Sequence, residues 1–233
     1  MKKSPIFMTI CLAGAGLSST FANADTLEVI SSGGFYSSME KLIPIFEKQT
    51  GHTVHLSSGS SMGASPTAIP NRLDRGEHFD VVVLAAPELN KLAEKGYVEP
   101  SSQSPLVNSS IGMAVPKGAP KPDISSAAKF EKVLLNAKHI GYSASASGTH
   151  LEKDVFPSFP PVEYKVISGK AEKVVGDRVA KRIAEGQFDI GFQQISEIKP
   201  FTGQYGQVEL VGPIPAPYQK VTVFAAGIGK NSE

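Results

Sequence analysis

The chain has 233 residues, with 23 lysines and arginines against 22 aspartates and glutamates, and it contains one cysteine. This near-neutral balance, without a run of like charge, argues against a nucleic-acid or membrane-surface partner, and we expect neither. The length is enough for one large or two small domains with hydrophobic cores of their own.

Residues 1–24 have the features of a secretory signal peptide. Two lysines precede an apolar run over residues 6–17, and an A-x-A cleavage motif occupies residues 22–24. The cysteine, Cys11, lies inside this segment, so the exported chain from Asp25 onward is expected to have no disulfide and no thiolate metal site. Since no second long apolar stretch follows, we expect a soluble protein of the Gram-negative periplasm.

The predicted elements between residues 26 and 95 alternate between strand and helix. Strands are expected at 26–30, 53–56 and 80–84, and helices at 37–49, 67–75 and 87–95. Ser37 and Glu40 fit a capping box, which predicts that the first helix begins at Ser37. The third strand is a continuous Val-Val-Val-Leu run, typical of a strand buried in a parallel sheet.

Serines and glycines follow the ends of the first two strands. The first loop contains Ser31, Ser32, Gly33 and Gly34, and the second loop covers residues 57–63. Loops at the carboxyl ends of parallel strands gather at one edge of a sheet, so these two should face one crevice. Glycine backbone and helix N-termini can hold an anion there. The alternatives are an ordinary strand-to-helix turn for the first loop and a flexible linker for the second.

The pattern restarts after a proline-rich break at residues 116–122, where we expect a crossing to a second lobe. Helices are predicted at 126–136, from about residue 150, and at 173–184, and strands at 139–142, 188–193, 207–211 and 220–226. The segment 207–217 reads as a return crossing. We therefore predict a two-lobed α/β fold with a hinged cleft, in which lobe I comprises residues 25–110 plus 207–233 and lobe II comprises residues 111–206.

A third serine-rich loop, residues 143–149, follows a strand of the second half, and all three loops are expected to surround one anion. The candidate donors are Ser31, Ser32, Gly33, Gly34, Ser60, Ser61, Ser147, Gly148, Thr149 and Gln194. An organic polycarboxylate would also require a cation, for which the candidates are Arg72, Arg75, Arg178 and Arg182. Each of these arginines also reads as a solvated helix residue.

Several segments occur in the order found in one family: SSGGF, SMGASPTAIPNRLDRGEHFDVVV, YSASASG and IGFQQISEI. On these residues the chain resembles type 2 periplasmic solute-binding proteins of the molybdate-binding family, over nearly all of its length after residue 24. Within that family it is similar to a subgroup that includes bacterial aconitate isomerase. The resemblance implies the periplasmic-binding-protein-like fold, a small anionic ligand, an ABC permease as partner and no cofactor.

The resemblance also implies the position of the pocket. The family's pocket positions fall, in chain order, on Gly34, Ser60 or Ser61, Ser147, Gly176 and Gln194. The family has serine at the first of these positions and tyrosine at the last. Because smaller or different groups replace them here, we expect a pocket that is roomier at one end, with a ligand larger than molybdate, such as a polycarboxylate.

Two functions stay open at this point. The first is a monomeric solute receptor that captures a molybdate-like oxyanion or a polycarboxylate for an ABC importer. The second is an isomerase that interconverts trans- and cis-aconitate by moving an allylic proton, which requires a base and an acid. His150 is the candidate catalytic residue, with Asp177, Glu197 and Tyr36 behind it, although His150 also reads as a surface or capping histidine. The other histidines lack ligand spacing, so we expect no metal site.

Overall fold

The computed structural model describes residues 25–230 and contains two five-stranded mixed sheets with helices packed on their faces. Its strands are β1 (Thr26–Ser32), β2 (Thr53–Gly59), β3 (Val81–Ala85), β4 (Ser104–Ser109), β5 (Ile111–Pro116), β6 (Ile140–Ser143), β7 (Ala171–Val174), β8 (Ile190–Gln194), β9 (Val208–Pro213) and β10 (Thr222–Ile228). Its α-helices are α1 (Gly33–Thr50), α2 (Ile69–Asp74), α3 (Ala86–Glu94), α4 (Ala127–Asn136), α5 (Ala146–His150), α6 (Pro161–Ser168), α7 (Val179–Ala184) and α8 (Ile195–Ile198). The predicted signal peptide at residues 1–24 lies outside the described residues.

The two sheets repeat one design. The first has the order β2-β1-β3-β10-β4, with β1 parallel to β2 and β3, and with β10 antiparallel to both of its neighbours. The second has the order β7-β6-β8-β5-β9, with β6 parallel to β7 and β8, and with β5 antiparallel to both of its neighbours. We call the part of the chain around the first sheet lobe I and the part around the second sheet lobe II. The predicted two-lobed α/β fold is confirmed.

Each lobe has its own hydrophobic core. In lobe I, Ile30, Val82 and Leu84 are fully buried beneath helix α3. In lobe II, Phe130 of α4 packs edge to face on Phe192 of β8, with ring centroids 5.7 Å apart. Burying apolar area of this kind is the main stabilising contribution to each lobe. No helix within residues 25–230 has the length and apolar character needed to span a bilayer.

The chain passes between the lobes at positions that differ from the proline-rich breaks. The first crossing is Ser110, between β4 and β5, so residues 116–122 follow β5 inside lobe II. Strand β9 pairs with β5, with Met113 opposite Gly212, which makes residues 208–213 part of lobe II rather than lobe I. The return therefore occupies residues 214–221, and β10 alone carries the chain back into the first sheet.

Three predicted helix boundaries are wrong. Helix α1 begins at Gly33 with Ser32 as its N-cap, so Ser37 and Glu40 lie within the helix and form no capping box at its start. Helix α5 begins at Ala146, inside the predicted third loop, so that His150 ends this helix instead of starting one. The predicted helix at 173–184 is split, because β7 ends at Val174 and a turn with Gly176 at φ 74° precedes α7.

Candidate functional site

The carboxyl ends of strands from both sheets meet at a cleft of about 460 Å³ between the lobes. From lobe I the cleft is lined by the start of α1, the end of β2 and the following loop, together with Phe224. From lobe II it is lined by the end of β6, the start of α5, the turn before α7, and the residues around α8. Strand ends and helix starts thus present backbone and hydroxyl donors to one space, as the strand-to-helix pattern predicted.

Most of the candidate binding residues meet in this cleft. Its lining includes Ser32, Gly33, Gly34, Ser60, Ser61, Ser147, Gly176 and Gln194. Several of the hydroxyls already have partners: Ser61 Oγ accepts a hydrogen bond from the Ala85 N–H at 3.1 Å, and Ser147 Oγ lies 2.9 Å from Ser143 Oγ. The lobes also touch here, because the Ser61 N–H donates to Ser145 Oγ at 3.3 Å.

Three predicted binding residues do not line the cleft. Ser31 is fully buried, and its hydroxyl donates to the Ser32 carbonyl at 3.1 Å. The Gly148 N–H donates to Ser143 Oγ at 3.2 Å, and the Thr149 hydroxyl contacts Met62 Sδ at 3.4 Å. Because α5 begins at Ala146, these two residues belong to the body of a helix and not to a loop that faces a ligand.

His150, the candidate catalytic residue, also lies outside the cleft lining. Its Nδ1 is 2.8 Å from Asp154 Oδ2, and its Nε2 is 3.0 Å from the Tyr218 carbonyl oxygen. Both ring nitrogens are therefore engaged, one by Asp154 of lobe II and one by the segment that returns to lobe I. The expectation that His150 transfers a proton loses its geometric basis, since a general base must reach the proton it takes.

Arg178 is the one of the four candidate arginines that lines the cleft. Arg72 and Arg75 both pair with Glu77, and Arg182 pairs with Asp177 at 3.0 Å. The Arg178 guanidinium lies over the rings of Tyr36 and Phe201, 5.6 and 5.9 Å from their centroids, and forms no salt bridge within residues 25–230. These contacts attract the cation to the two ring faces, and its N–H donors stay available to a carboxylate.

Glu197 of α8 brings a carboxyl group into the same cleft. Its Oε1 lies directly against Gly33 of lobe I, so a side chain at position 33 would displace the Glu197 carboxyl group. Burial raises the pKa of Glu197 to about 7, against the lowering effects of the Arg178 guanidinium, the Gln193 side chain and the Gln194 N–H. A carboxyl group with this pKa can both release and accept a proton near neutral pH.

The buried part of the cleft contains two polar atoms without partners. Ser32 Oγ and Gln194 Oε1 are both buried and make no hydrogen bond within the described residues, while Gln194 Nε2 donates to Thr222 Oγ1 at 3.1 Å. Buried polar groups are nearly always satisfied, so orphaned atoms in a cleft point to a ligand that completes their bonding. These two atoms lie on opposite lobes, which fits a ligand held between them.

The expected extra space beside Gly34 is not there. The Phe224 ring of β10 fills it, and a side chain at position 34 would collide with that ring. Gly34 therefore has a packing role, and the prediction of a roomier pocket at this position is wrong. The charged groups of lobe II and Gln194 are the remaining features that favour a ligand larger than molybdate.

Sequence reasoning left several cleft residues unassigned, including Ser58, Ser143, Ser145, Lys181 and Gln193. The serines had a usable signal, since they belong to the same serine-rich strand ends as the predicted donors. Lys181 and Gln193 had none, because their side chains reach the cleft only through the packing of α7 on β8. No group of three or more His, Cys, Asp or Glu side chains within residues 25–230 could hold a metal ion.

The raised pKa of Glu197 predicts how stability depends on pH. Between its ordinary value of 4.5 and about 7, the folded protein keeps a proton that the unfolded chain has released. The free energy of unfolding should therefore fall as pH rises through this window and level off above it. Urea unfolding at several pH values should show that Glu197→Gln removes this pH dependence of the free energy of unfolding. Glu172→Gln, at an exposed position of β7, should leave the pH dependence in place. Parallel pH curves for the wild type and Glu197→Gln would contradict the assignment.

Comparisons with known proteins agree with this architecture. The sequence model of bacterial extracellular solute-binding proteins matches residues 27–233. The chain is 39% identical to an aconitate isomerase from Pseudomonas sp. over 208 residues, which cover 89% of this chain and 77% of that protein. Among solved structures, the Azotobacter vinelandii periplasmic molybdate-binding protein has 23% identity and a TM-score of 0.63, covering 88% and 86% of the two chains. Peb3 from Campylobacter jejuni has 15% identity and a TM-score of 0.60, covering 89% and 88%.

Proposed function

The chain belongs to the bacterial extracellular solute-binding protein family, and on this basis we propose that it captures a small polycarboxylate anion in the cleft between its lobes. The main support for the proposal is the position of the Arg178 guanidinium in the cleft lining. Its partly buried guanidinium forms no salt bridge within the described residues, although the Glu197 carboxyl lies near enough to interact with it, and a ligand carboxylate could bind it through two parallel hydrogen bonds. The pocket positions that the resemblance implies for molybdate are all neutral donors. An arginine in the cleft therefore favours a carboxylate ligand.

The remaining donors suit the other end of such a ligand. Ser32 and Gln194 carry the unpartnered buried atoms, and the first turn of α1 adds backbone N–H groups with the partial positive charge of a helix N-terminus. A molecule with two or three carboxylates could therefore contact Arg178 and the α1 end together. In this role the chain would be exported by residues 1–24 to the periplasm and would deliver its ligand to an ABC permease.

A ligand screen on the exported chain tests the proposal. Binding to the folded state raises stability by RT ln(1 + [L]/Kd), which is about 2.7 kcal/mol at a hundredfold excess over Kd. Calorimetry should detect trans-aconitate, cis-aconitate or citrate, and molybdate, tungstate or sulfate should not compete with them for the cleft. Strong stabilisation by molybdate without any effect of the carboxylates would identify an oxyanion site instead.

Isomerisation of aconitate is a second candidate function, and Glu197 favours it. Its carboxyl group lies in the same cleft, has a pKa of about 7, and would face a ligand bound to Arg178. In its ionised form Glu197 would take a proton from the methylene carbon of trans-aconitate while the double bond shifts by one carbon. The same carboxyl would then return the proton to the former vinylic carbon, which leaves the proton count unchanged. The 39% identical aconitate isomerase supports this candidate.

An assay of the conversion of trans-aconitate to cis-aconitate tests the second candidate function. The exported chain is incubated with trans-aconitate, and cis-aconitate is followed by chromatography at protein concentrations where calorimetry shows the ligand bound. Product formation would support the enzyme. Binding without product would leave the receptor as the function.

A further inference from the structure

A second cavity lies at the junction of the two lobes, apart from the ligand cleft. It has a volume of about 680 Å³ and is formed by α1 of lobe I, the crossing at residues 108–110, and α8 with the residues that follow it. We call it the hinge pocket. Its lining includes five hydroxyls and one amide, from Ser37, Ser38, Asn108, Ser109, Ser110 and Ser196, and none of its residues lines the ligand cleft.

Two lysines give the hinge pocket a positive charge from both sides. Lys41 comes from α1 of lobe I, and Lys199 follows α8 of lobe II. Within the described part of the chain neither ammonium group has a salt bridge or a hydrogen-bond partner, so both are available to a ligand. Glu40 is the carboxylate in the lining, so the local charge remains positive.

The floor of the pocket is held in place by contacts between the lobes. Ser196 Oγ donates to the Gly34 carbonyl at 2.7 Å and lies 3.4 Å from Ser109 Oγ. The Ile195 N–H donates to the Ser110 carbonyl at 3.0 Å. The hydroxyls of Ser109 and Ser196 are therefore ordered without a ligand, and their positions relative to α1 are fixed.

From this lining we infer that the hinge pocket binds a small multivalent oxyanion of the phosphate or sulfate class. Ser196 already donates to Gly34, and Ser109 to Ser196, so the donors left for oxyanion oxygens are the hydroxyls of Ser37, Ser38 and Ser110, the Asn108 amide and the two ammonium groups. Bonds to a charged acceptor are roughly twice as strong as neutral ones. Because the two ammonium groups belong to different lobes, one bound anion would link the lobes on the hinge side.

The test is a calorimetric titration of the exported chain with inorganic phosphate, and separately with sulfate, at low ionic strength. Phosphate should bind the wild type, and Lys41→Ala combined with Lys199→Ala should weaken binding at least tenfold. The matched control, Lys132→Ala with Lys138→Ala, removes two exposed lysines of lobe II and should bind phosphate as the wild type does. Arg178→Ala should also retain phosphate binding, because its side chain lies in the ligand cleft.

Three results would overturn the inference: no binding of either anion, equal affinity after loss of Lys41 and Lys199, or loss of binding in Arg178→Ala. The last result would place the anion in the ligand cleft. A parallel titration of the lysine variant with trans-aconitate separates this inference from the proposed function. Polycarboxylate binding should persist in that variant, whatever happens to phosphate.

Discussion

Glu197→Gln is expected to lower the rate of trans-aconitate conversion by about 10²- to 10⁴-fold, the usual contribution of a general acid–base group. Glutamine preserves the size of the side chain and its contact with Gly33, but it can neither take the allylic proton nor return it. Binding should be retained, since the change removes a negative charge from beside an anionic ligand. The loss should therefore appear in kcat and not in KM.

Two control variants make this result specific. Asp177 also lines the cleft, but it is paired with Lys181 at 3.1 Å and Arg182 at 3.0 Å, so Asp177→Asn should keep most of the turnover. His150→Ala should do the same, because the ring lies outside the cleft lining. A full rate in Glu197→Gln, in a wild type that does turn over, would transfer the role of base to Asp177 or Tyr36.

The two-lobed architecture could be predicted because serine-rich strand ends and apolar runs are local signals. Some of the errors are at edge strands. Strands β4 and β9 lie at the edges of their sheets and contain Pro105 and Pro213. Proline is tolerated at an edge, where its missing N–H is not needed by a neighbour. The sequence pattern therefore left β4 unpredicted and made the end of β9 look like part of a crossing.

In the second lobe, the predicted helix at 173–184 was wrong because strand pairing overrides the helix propensity of its first residues. The stretch from residue 173 has helical spacing, but Lys173 and Val174 pair with β6 and complete the second sheet. Gly176 then adopts a left-handed conformation that ends any continuous helix. This turn also brings Arg178 to the cleft, so the wrong helix boundary also concealed which of the four candidate arginines faces the ligand.

The donors of the site were predictable, but its charged groups were not. Ser32, Ser60 and Ser147 follow strand ends, and the position of such residues depends only on the order of strands and helices. Glu197 and Arg178 were recognised as titratable or cationic, yet nothing local distinguishes them from solvated helix residues. Their importance comes from contacts across the lobes and between helices, such as the approach of Glu197 to Gly33.

Arg178→Ala should weaken polycarboxylate binding by about 1.5–3 kcal/mol, the range for hydrogen bonds to charged groups, which corresponds to roughly 10- to 150-fold in Kd. Arg178→Lys should recover part of this loss, since lysine keeps the charge but lacks the planar fork and the stacking on Tyr36 and Phe201. Calorimetry with citrate or trans-aconitate at pH 7 measures both effects.

The matched control for this experiment is Arg182→Ala, which removes an arginine one helical turn away that is already paired with Asp177 and Glu185. Its affinity for polycarboxylates should stay close to that of the wild type, because its guanidinium does not line the cleft. Full affinity in Arg178→Ala would mean that the hydroxyl and backbone donors of α1, α5 and the β2 loop hold the ligand alone. The ligand would then be selected by neutral donors, as in a receptor for an inorganic oxyanion, and the argument for a carboxylate would fail with it.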